Sequence, residues 1–595
     1  MTAFSSSAVR RDIPLPSDPD DAIWGSDVLA DMLRAMDIPY VLLNPGASFR
    51  GLHDSLVNHL GNEKPQMIVV LHEEHAVAIA HGYAKVTGKP LGAILHSNVG
   101  LMHGSMAIFD AWVDRMPVIV MGATGPVDAA KRRPWIDWIH TAQDQGALVR
   151  NFIKWDAQPA SVAAAQEAML RAAQIATTAP QGPVYVCFDA ALQESKLTEK
   201  PVLPDPARYK APAPARPSDA AIAQAAAWLS GAQRPVLLMG RVSRSEEGWA
   251  ERIQLAETLN AEVLTDLKVG AAFPTDHRLH AAPCGTFLSA ASMAVLKGAD
   301  VVLSLDWVDL AGTLKQAWGT QTVTSRVIQV SVDQYSHNGW SMDHQGLPPV
   351  DLHLLSEPEP AVTLLNHHVK PRLVEAPPKA PLPAEPQPSG DGSLTVPLVA
   401  VALKRALKDE TLCLMRLPLS WSGEMWDFRH PLDFLGYDGG GGIGSGPGMA
   451  IGSALALKGT DRLPVAVIGD GDYMMGVNAL WTAANARVPL LMVVVNNRSF
   501  FNDELHQERV ARQRKRPVEN RWIGQRISDP APDLAMMARA QGLIGIGPVE
   551  DGAELERALD EAIAAVRKGE TVVIDVIVQT GYSPTMTAGL TRSDD

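Results

Sequence analysis

The residues with the clearest chemistry lie in the last third of the chain. An apolar run, VAVIG at 465–469, leads into Gly469-Asp470-Gly471, and a second, LLMVVV at 490–495, leads into Asn496-Asn497. Asp470 and Asn497 stand 27 positions apart, with a helical stretch, ALWTAA at 479–484, between them. One strand–helix–strand crossover spans that distance and returns both strand ends to the same edge of a parallel sheet, where such sheets bind ligands. An aspartate carboxylate and an asparagine carbonyl there offer two hard oxygen ligands. Magnesium commonly takes one or two protein oxygens and completes its shell with water and substrate phosphate. Glycines beside Asp470 let the backbone approach a diphosphate, and the helix that follows offers N–H donors. An isolated Gly-Asp-Gly reads equally well as a strand end with an aspartate cap. The paired asparagines at this spacing, after a second strand, favour the metal–diphosphate reading.

Other segments add to this. Gly441-Gly442-Ile443-Gly444-Ser445-Gly446 sets one branched apolar side chain in a glycine-rich loop. Ser420 and Ser422, before Glu424-Met425-Trp426, carry hydroxyls able to donate to phosphate. Near the other end of the chain, His72-Glu73-Glu74-His75 follows an apolar run at 67–71 and precedes a helix ending at Gly82-Tyr83-Ala84. Acids suit a helix N-terminus. A glutamate enclosed by apolar residues would also have a raised pKa, which suits proton sharing with a weak base. Leu95-His96-Ser97 places an imidazole at a strand end, and imidazole exchanges protons near neutral pH.

Together these motifs resemble the thiamine-diphosphate (ThDP) enzymes of the benzoylformate decarboxylase and acetohydroxyacid synthase (acetolactate synthase) group, from Asn44-Pro45-Gly46 to the C-terminal block. The resemblance implies that Asp470 and Asn497 ligate Mg²⁺, with Ser499 giving a third oxygen from side chain or backbone. Gly469, Gly471, Ser420 and Ser422 then lie near the diphosphate. Ile443 lies under the bent cofactor, where a branched side chain between the two rings holds the aminopyrimidine near the thiazolium. Glu73, nine residues before Gly82-Tyr83, is implied to hydrogen-bond the pyrimidine N1′ and favour the imino tautomer that deprotonates C2. His96 becomes a substrate-facing acid/base. Glu73 and the metal ligands meet across a subunit interface in this group, so a homodimer or homotetramer is expected.

This sequence departs from the pattern at three places. Asp472 puts a second carboxylate near the diphosphate, which would repel it unless it turns away, binds metal or meets a cation. The second active-site histidine of the benzoylformate-type relatives has no counterpart in the stretch 304–310. His506 falls where relatives place an aromatic pocket wall, and is a candidate for that missing histidine. The expected reaction is 2-oxo acid decarboxylation and/or carboligation through a C2 carbanion and enamine, on a small polar or hydroxylated carbonyl substrate. A C–C lyase or ligase acting on 2-hydroxy ketones or 2-hydroxyacyl thioesters is the alternative, and a non-catalytic ThDP-fold protein a more distant one. The middle block resembles the domain that binds FAD or a nucleotide in some members. It holds no GxGxxG, only Gly240-Arg241 after a strand, and FAD is not expected.

The elements that must position these residues are short apolar runs alternating with helical stretches, in each of three blocks. The pattern predicts an α/β protein of three doubly wound parallel-sheet domains: pyrimidine- and diphosphate-binding (Pyr and PP) domains flanking a Rossmann-like middle domain. The expected boundaries are a flexible tail 1–21, a Pyr domain 22–199, a linker 200–217, a central domain 218–368, a Pro-rich linker 369–392 and a PP domain 393–595. Fifty-two basic against 66 acidic residues give the 595-residue chain a net charge of −14, which argues against a nucleic-acid backbone binder. No apolar run reaches the length of a membrane span. Three dispersed cysteines, Cys187, Cys284 and Cys413, form no disulfide framework, and a cytoplasmic location is expected.

Overall fold

A computed structural model describes residues 9–16, 22–335, 346–373, 386 and 392–591. Most of the tail 1–21 and of the Pro-rich linker 369–392 lies outside the described residues. Residues 200–217 contain one short 3-10 turn, Pro206–Tyr209. No described helix is long and apolar enough to cross a membrane.

Three fully parallel sheets account for the chemistry-bearing parts of the chain. The first has six strands in the spatial order Gln66–Val69, Tyr40–Leu43, Gly92–Leu95, Ile119–Thr124, Val184–Asp189, Asp156–Ala157. Counted along the chain, that order is 2-1-3-4-6-5. The middle sheet runs Glu262–Thr265, Pro235–Met239, Val301–Leu305, Arg326–Val330, Leu352–Leu354, a 2-1-3-4-5 order. The third runs Leu412–Arg416, Leu463–Gly469, Leu490–Asn496, Thr571–Ile577, Ile544–Val549. A parallel bridge from Leu414 to Phe434 adds one more position outside its first strand. Counting that vestige, the third sheet has the same 2-1-3-4-6-5 order as the first. Each is doubly wound, with helices on both faces, which is why its strands read as unbroken apolar runs. A small antiparallel pair, Ile23–Trp24 with Lys196–Leu197, ties the entry of the first unit to its exit.

The predicted strands are present within three residues of their expected ends. Besides the antiparallel pair, three strands of the parallel sheets were not anticipated. Asp156–Ala157 and Leu352–Leu354 are too short to show a pattern. Ile544–Val549 contains Gly547-Pro548 and a register shift, which is tolerated because it is an edge strand.

Two helices join the first and third units back to back. Glu73–Thr87 is capped by the His72 ring, whose Nδ1 accepts from the Glu74 N–H at 3.2 Å, and ends at Gly88 in the left-handed region. It packs on Ser445–Leu457. A Cβ added at Gly82 would lie 2.1 Å from the Met449 carbonyl, and one at Gly452 would lie 1.9 Å from the Ile79 carbonyl. The two backbones therefore touch, and the Ser453 hydroxyl donates to the Gly82 carbonyl at 3.0 Å. One apolar core runs through this contact, from Leu42, Val77 and Ile108 to Ile451, Leu480 and Val494.

Candidate active site

Doubly wound sheets bind ligands where the strand order reverses, beyond the carboxyl ends of the strands. In the third sheet that point lies between Leu412–Arg416 and Leu463–Gly469. Gly469 is the N-cap of a short helix, Asp470–Met475, so Asp470 sits at the strand end with its side chain 4% exposed. Its Oδ1 accepts from the Gly471 N–H at 3.0 Å and its Oδ2 from the Ser499 N–H at 3.2 Å. Burial pushes the carboxyl up to about 6, and the groups that oppose this are backbone N–H donors. A buried carboxylate short of cationic charge at a ligand edge fits a metal ligand.

The two asparagines of the pair divide their work. Asn496 donates to Asp575 at 2.9 Å and accepts from the Arg498 N–H at 3.1 Å, which fixes the strand end. Asn497 accepts from the Ser499 N–H at 2.9 Å. The Ser499 hydroxyl donates to Glu504 at 2.6 Å, and Glu504, fully buried, is held in turn by Arg526 at 3.1 Å and Arg521 at 3.3 Å. A cavity of about 380 Å³ opens here, lined by Ser420, Ile443, Gly469, Asp470, Gly471, Asn497 and Ser499 among others. A Cβ at Gly469 would meet nothing within 4 Å. Ile443 is 44% exposed on its glycine loop. Open space over a glycine, hard oxygens around one buried acid and an uncovered apolar side chain together fit a diphosphate, its cation and the ring system above them.

Asp472 meets a cation and a helix end. Its Oδ1 accepts from Gly444 N–H at 2.6 Å and Gly446 N–H at 3.1 Å, at the start of Ser445–Leu457. Its Oδ2 lies 3.4 Å from Arg416, which also holds Asp438 at 2.6 Å. The second carboxylate is thus consumed by the protein's own donors. Asp110, beneath the same glycine loop, is pushed up to about 9 by burial and by Asp438, against the pull of Arg416.

The first sheet reverses between Tyr40–Leu43 and Gly92–Leu95, and His96 stands there, as the N-cap of the helix Ser97–Val113. A Cβ at Gly46 would fall 2.1 Å from the His96 ring, so only a glycine lets the imidazole lie on this backbone. The His96 Nδ1 and the Ser48 hydroxyl are 2.8 Å apart, and the His140 ring is 4.8 Å away, centre to centre. Burial and then His140 lower the His96 pKa, against Glu73, which raises it. Glu73 is buried at the start of its helix, with Oε2 3.1 Å from the His103 Nδ1. His103 stacks on His72 at 5.0 Å.

The structure gathers Ser420, Ile443, Gly469, Asp470, Gly471, Asn497 and Ser499 around one cavity, and Glu73 with His96 at another edge. It does not bring two of the predicted residues to the cavity lining. Ser422 is buried, with no partner for its hydroxyl among the described residues. His506 is half-buried on the helix Phe501–Gln513. The sequence reading missed Ser48, His103, His140, Arg416 and Glu504. Ser48 and His140 lie far from His96 in sequence and meet it only through the sheet. His103 stood in plain view seven residues after His96, without a periodic signal to mark it. In the middle unit, a cavity of about 510 Å³ opens beside the strand-order reversal, lined by Gly240, Arg241, Ser243 and Asp306 among others. Gly240 abuts the Asp306 backbone, and the Asp306 carboxylate is held by Arg115 at 3.0 Å and Arg241 at 3.1 Å.

The chain matches three domains of a single family over most of its length: thiamine pyrophosphate enzyme, N-terminal TPP binding domain, at residues 23–148; the central domain at 222–342; and the C-terminal TPP binding domain at 418–576. It belongs to the thiamine pyrophosphate enzyme family. It is 24% identical over 530 residues to a benzoylformate decarboxylase of Pseudomonas aeruginosa, covering 86% of this chain and 92% of that one. It is 23% identical to an acetolactate synthase of Mycobacterium bovis, covering 88% and 83%. In fold it is similar to the benzoylformate decarboxylase of Polynucleobacter necessarius, with a TM-score of 0.78, 22% identity and coverage of 94% and 99%.

Proposed function

We propose that this enzyme uses ThDP and Mg²⁺ to decarboxylate a polar or hydroxylated 2-oxo acid, to join the resulting acyl unit to a second carbonyl, or both. The observation that carries this reading is Asp470, buried and short of cationic charge, facing a cavity of about 380 Å³ with Asn497 and Ser499 beside it. In this reading Asp470, Asn497 and an oxygen of Ser499 hold the magnesium, and Gly469, Gly471 and Ser420 border the diphosphate. Bound ThDP supplies the nucleophilic carbon and the electron sink. Glu73 exchanges a proton with the pyrimidine ring. His96, held neutral by burial and set by Ser48, faces the substrate carboxylate and moves protons at the reacting carbon.

The cavity lining contains no residue of 22–199. Glu73 therefore serves the cavity of a second copy, and the working unit is a homodimer or a pair of dimers with sites at the subunit interfaces. The Pyr assignment goes to 22–199 and the PP assignment to 393–595. The polar-substrate preference follows from the group at the first sheet's edge: Ser48, His96 and His140 are hydrogen-bonding side chains where an apolar wall would suit a plain phenyl ring. The test is a screen of 2-oxo acids on protein loaded with ThDP and Mg²⁺, reading CO₂, aldehyde and acyloin separately. Carbon dioxide with aldehyde or acyloin from a polar 2-oxo acid is expected. Cleavage of 2-hydroxy ketones without CO₂ would replace this reading by the lyase one.

A further inference from the structure

We infer that His103 is a positioning residue for Glu73, holding one carboxylate oxygen so that the other is presented to the cofactor. This rests on the role given to Glu73 above. Glu73 Oε2 is 3.1 Å from His103 Nδ1. Its Oε1 lies over Gly100, where an added Cβ would come within 3.1 Å of both Oε1 and the Glu73 Cγ. One oxygen is therefore held by His103 and the other lies against the Gly100 backbone. Two helices set this arrangement: Glu73 opens Glu73–Thr87, and His103 lies nearly two turns into Ser97–Val113, which packs against it. His103 is itself oriented by stacking on the His72 ring at 5.0 Å.

His72, Glu73 and His103 bring three ligand-type atoms within 4.8 Å of one another, yet the trio is not built to hold a metal. The His72 Nδ1 already accepts the Glu74 N–H, so the neutral ring carries its proton on Nε2 and has no lone pair left to give. The same bond frees His72 to act as a flat, neutral platform. Burial lowers its pKa, Glu73 raises it and His103 lowers it.

A neutral His103 that donates from Nδ1 fixes the carboxylate while leaving it basic. Protonation of His103 would replace that dipole with a full charge and make Glu73 a poorer proton acceptor. The titratable groups facing this pair are His72 and, behind it, His75 on the Glu73 helix, and His96 with its neighbour His140 at the strand edge.

Two measurements test the inference. In cofactor-free protein labelled at histidine nitrogen, the His103 Nδ1 resonance, identified by its loss in His103→Asn, should shift in Glu73→Gln, because the hydrogen-bond acceptor becomes neutral. In the holoenzyme, His103→Leu should lower kcat about tenfold, the factor that one charge-assisted hydrogen bond corresponds to, with little change in substrate KM. His103→Asn, which keeps a donor, should stay within about threefold of wild type. An unmoved His103 Nδ1 resonance in Glu73→Gln, or wild-type kcat in His103→Leu, overturns the inference. If Glu73→Gln is inactive while His103→Leu behaves as wild type, only the role of His103 falls. If Glu73→Gln keeps full turnover, the role of Glu73 falls first.

Discussion

The first and third sheets share one strand order, and His96 and Asp470 occupy the same place in it, at the end of the third strand beside the point of reversal. What differs is the company each keeps. Around Asp470 are backbone N–H groups, an asparagine and a serine, with open space above a glycine. Around His96 are a serine, a second imidazole and, two strands over, a glutamate with its own histidine. In the proposed reading, the same backbone edge serves once for hard-cation and phosphate binding and once for proton exchange. Topology fixed where ligands meet the sheet; the side chains decided what happens there.

That division can be broken at either half. The largest effect is expected on the third sheet: Asp470→Ala should weaken Mg²⁺-dependent ThDP binding by more than about 100-fold in calorimetry, since it removes a direct ligand. Retention of tight, magnesium-dependent binding would erase the distinction drawn above. Next is Glu73→Gln on the first sheet, which should lower kcat by about 100- to 1000-fold, with the ThDP dissociation constant changed far less. A comparable loss of ThDP binding in both variants would mean the two edges do not divide binding from proton transfer.

The pH dependence of metal binding sharpens the contrast. The Asp470 carboxyl is pushed up to about 6 by burial. Magnesium binds the ionised form, so protonation competes with it. Mg²⁺ affinity should be flat above pH ~7 and fall by about tenfold per unit as pH drops below about 6. A flat titration down to pH 4.5 would assign the metal to other ligands. The smallest change is expected for His506→Ala, because that ring is half-buried on its helix and outside the cavity lining; kcat/KM within about threefold of wild type would agree with its position. A loss of tenfold or more would bring His506 to the substrate through a partner subunit.

Much of this could be read from sequence, for a physical reason. Buried parallel strands must be apolar throughout, so strands such as 40–43, 235–239 and 571–577 announce themselves. The Asp470–Asn497 spacing is legible because one crossover has a nearly fixed length. Short and edge strands leave no such trace, and Ile544–Val549 with its internal Gly-Pro reads as a loop. Asp472 posed a question that sequence left open, and Arg416, 56 residues away, answers it only in three dimensions. Ser48, His103 and His140 were missed because single polar residues gain meaning only from what the fold places opposite them. Ser422 and His506 show the converse. A register inherited from a motif places a residue near the site, but not which way its side chain turns.

The contact between Glu73–Thr87 and Ser445–Leu457 has a mechanical side as well. At Gly82 and Gly452 the two helices meet backbone to backbone, so no side chain between them can yield like a cushion. The first helix begins at Glu73 and Glu74; the second begins just past Ile443 and is pinned there by Asp472. Burial and then Asp472 raise the Glu74 pKa, so the two helix starts also sense each other's charge. The spacing of the two helix starts is thus set by backbone against backbone, at Gly82 and Gly452, rather than by side chains that could repack.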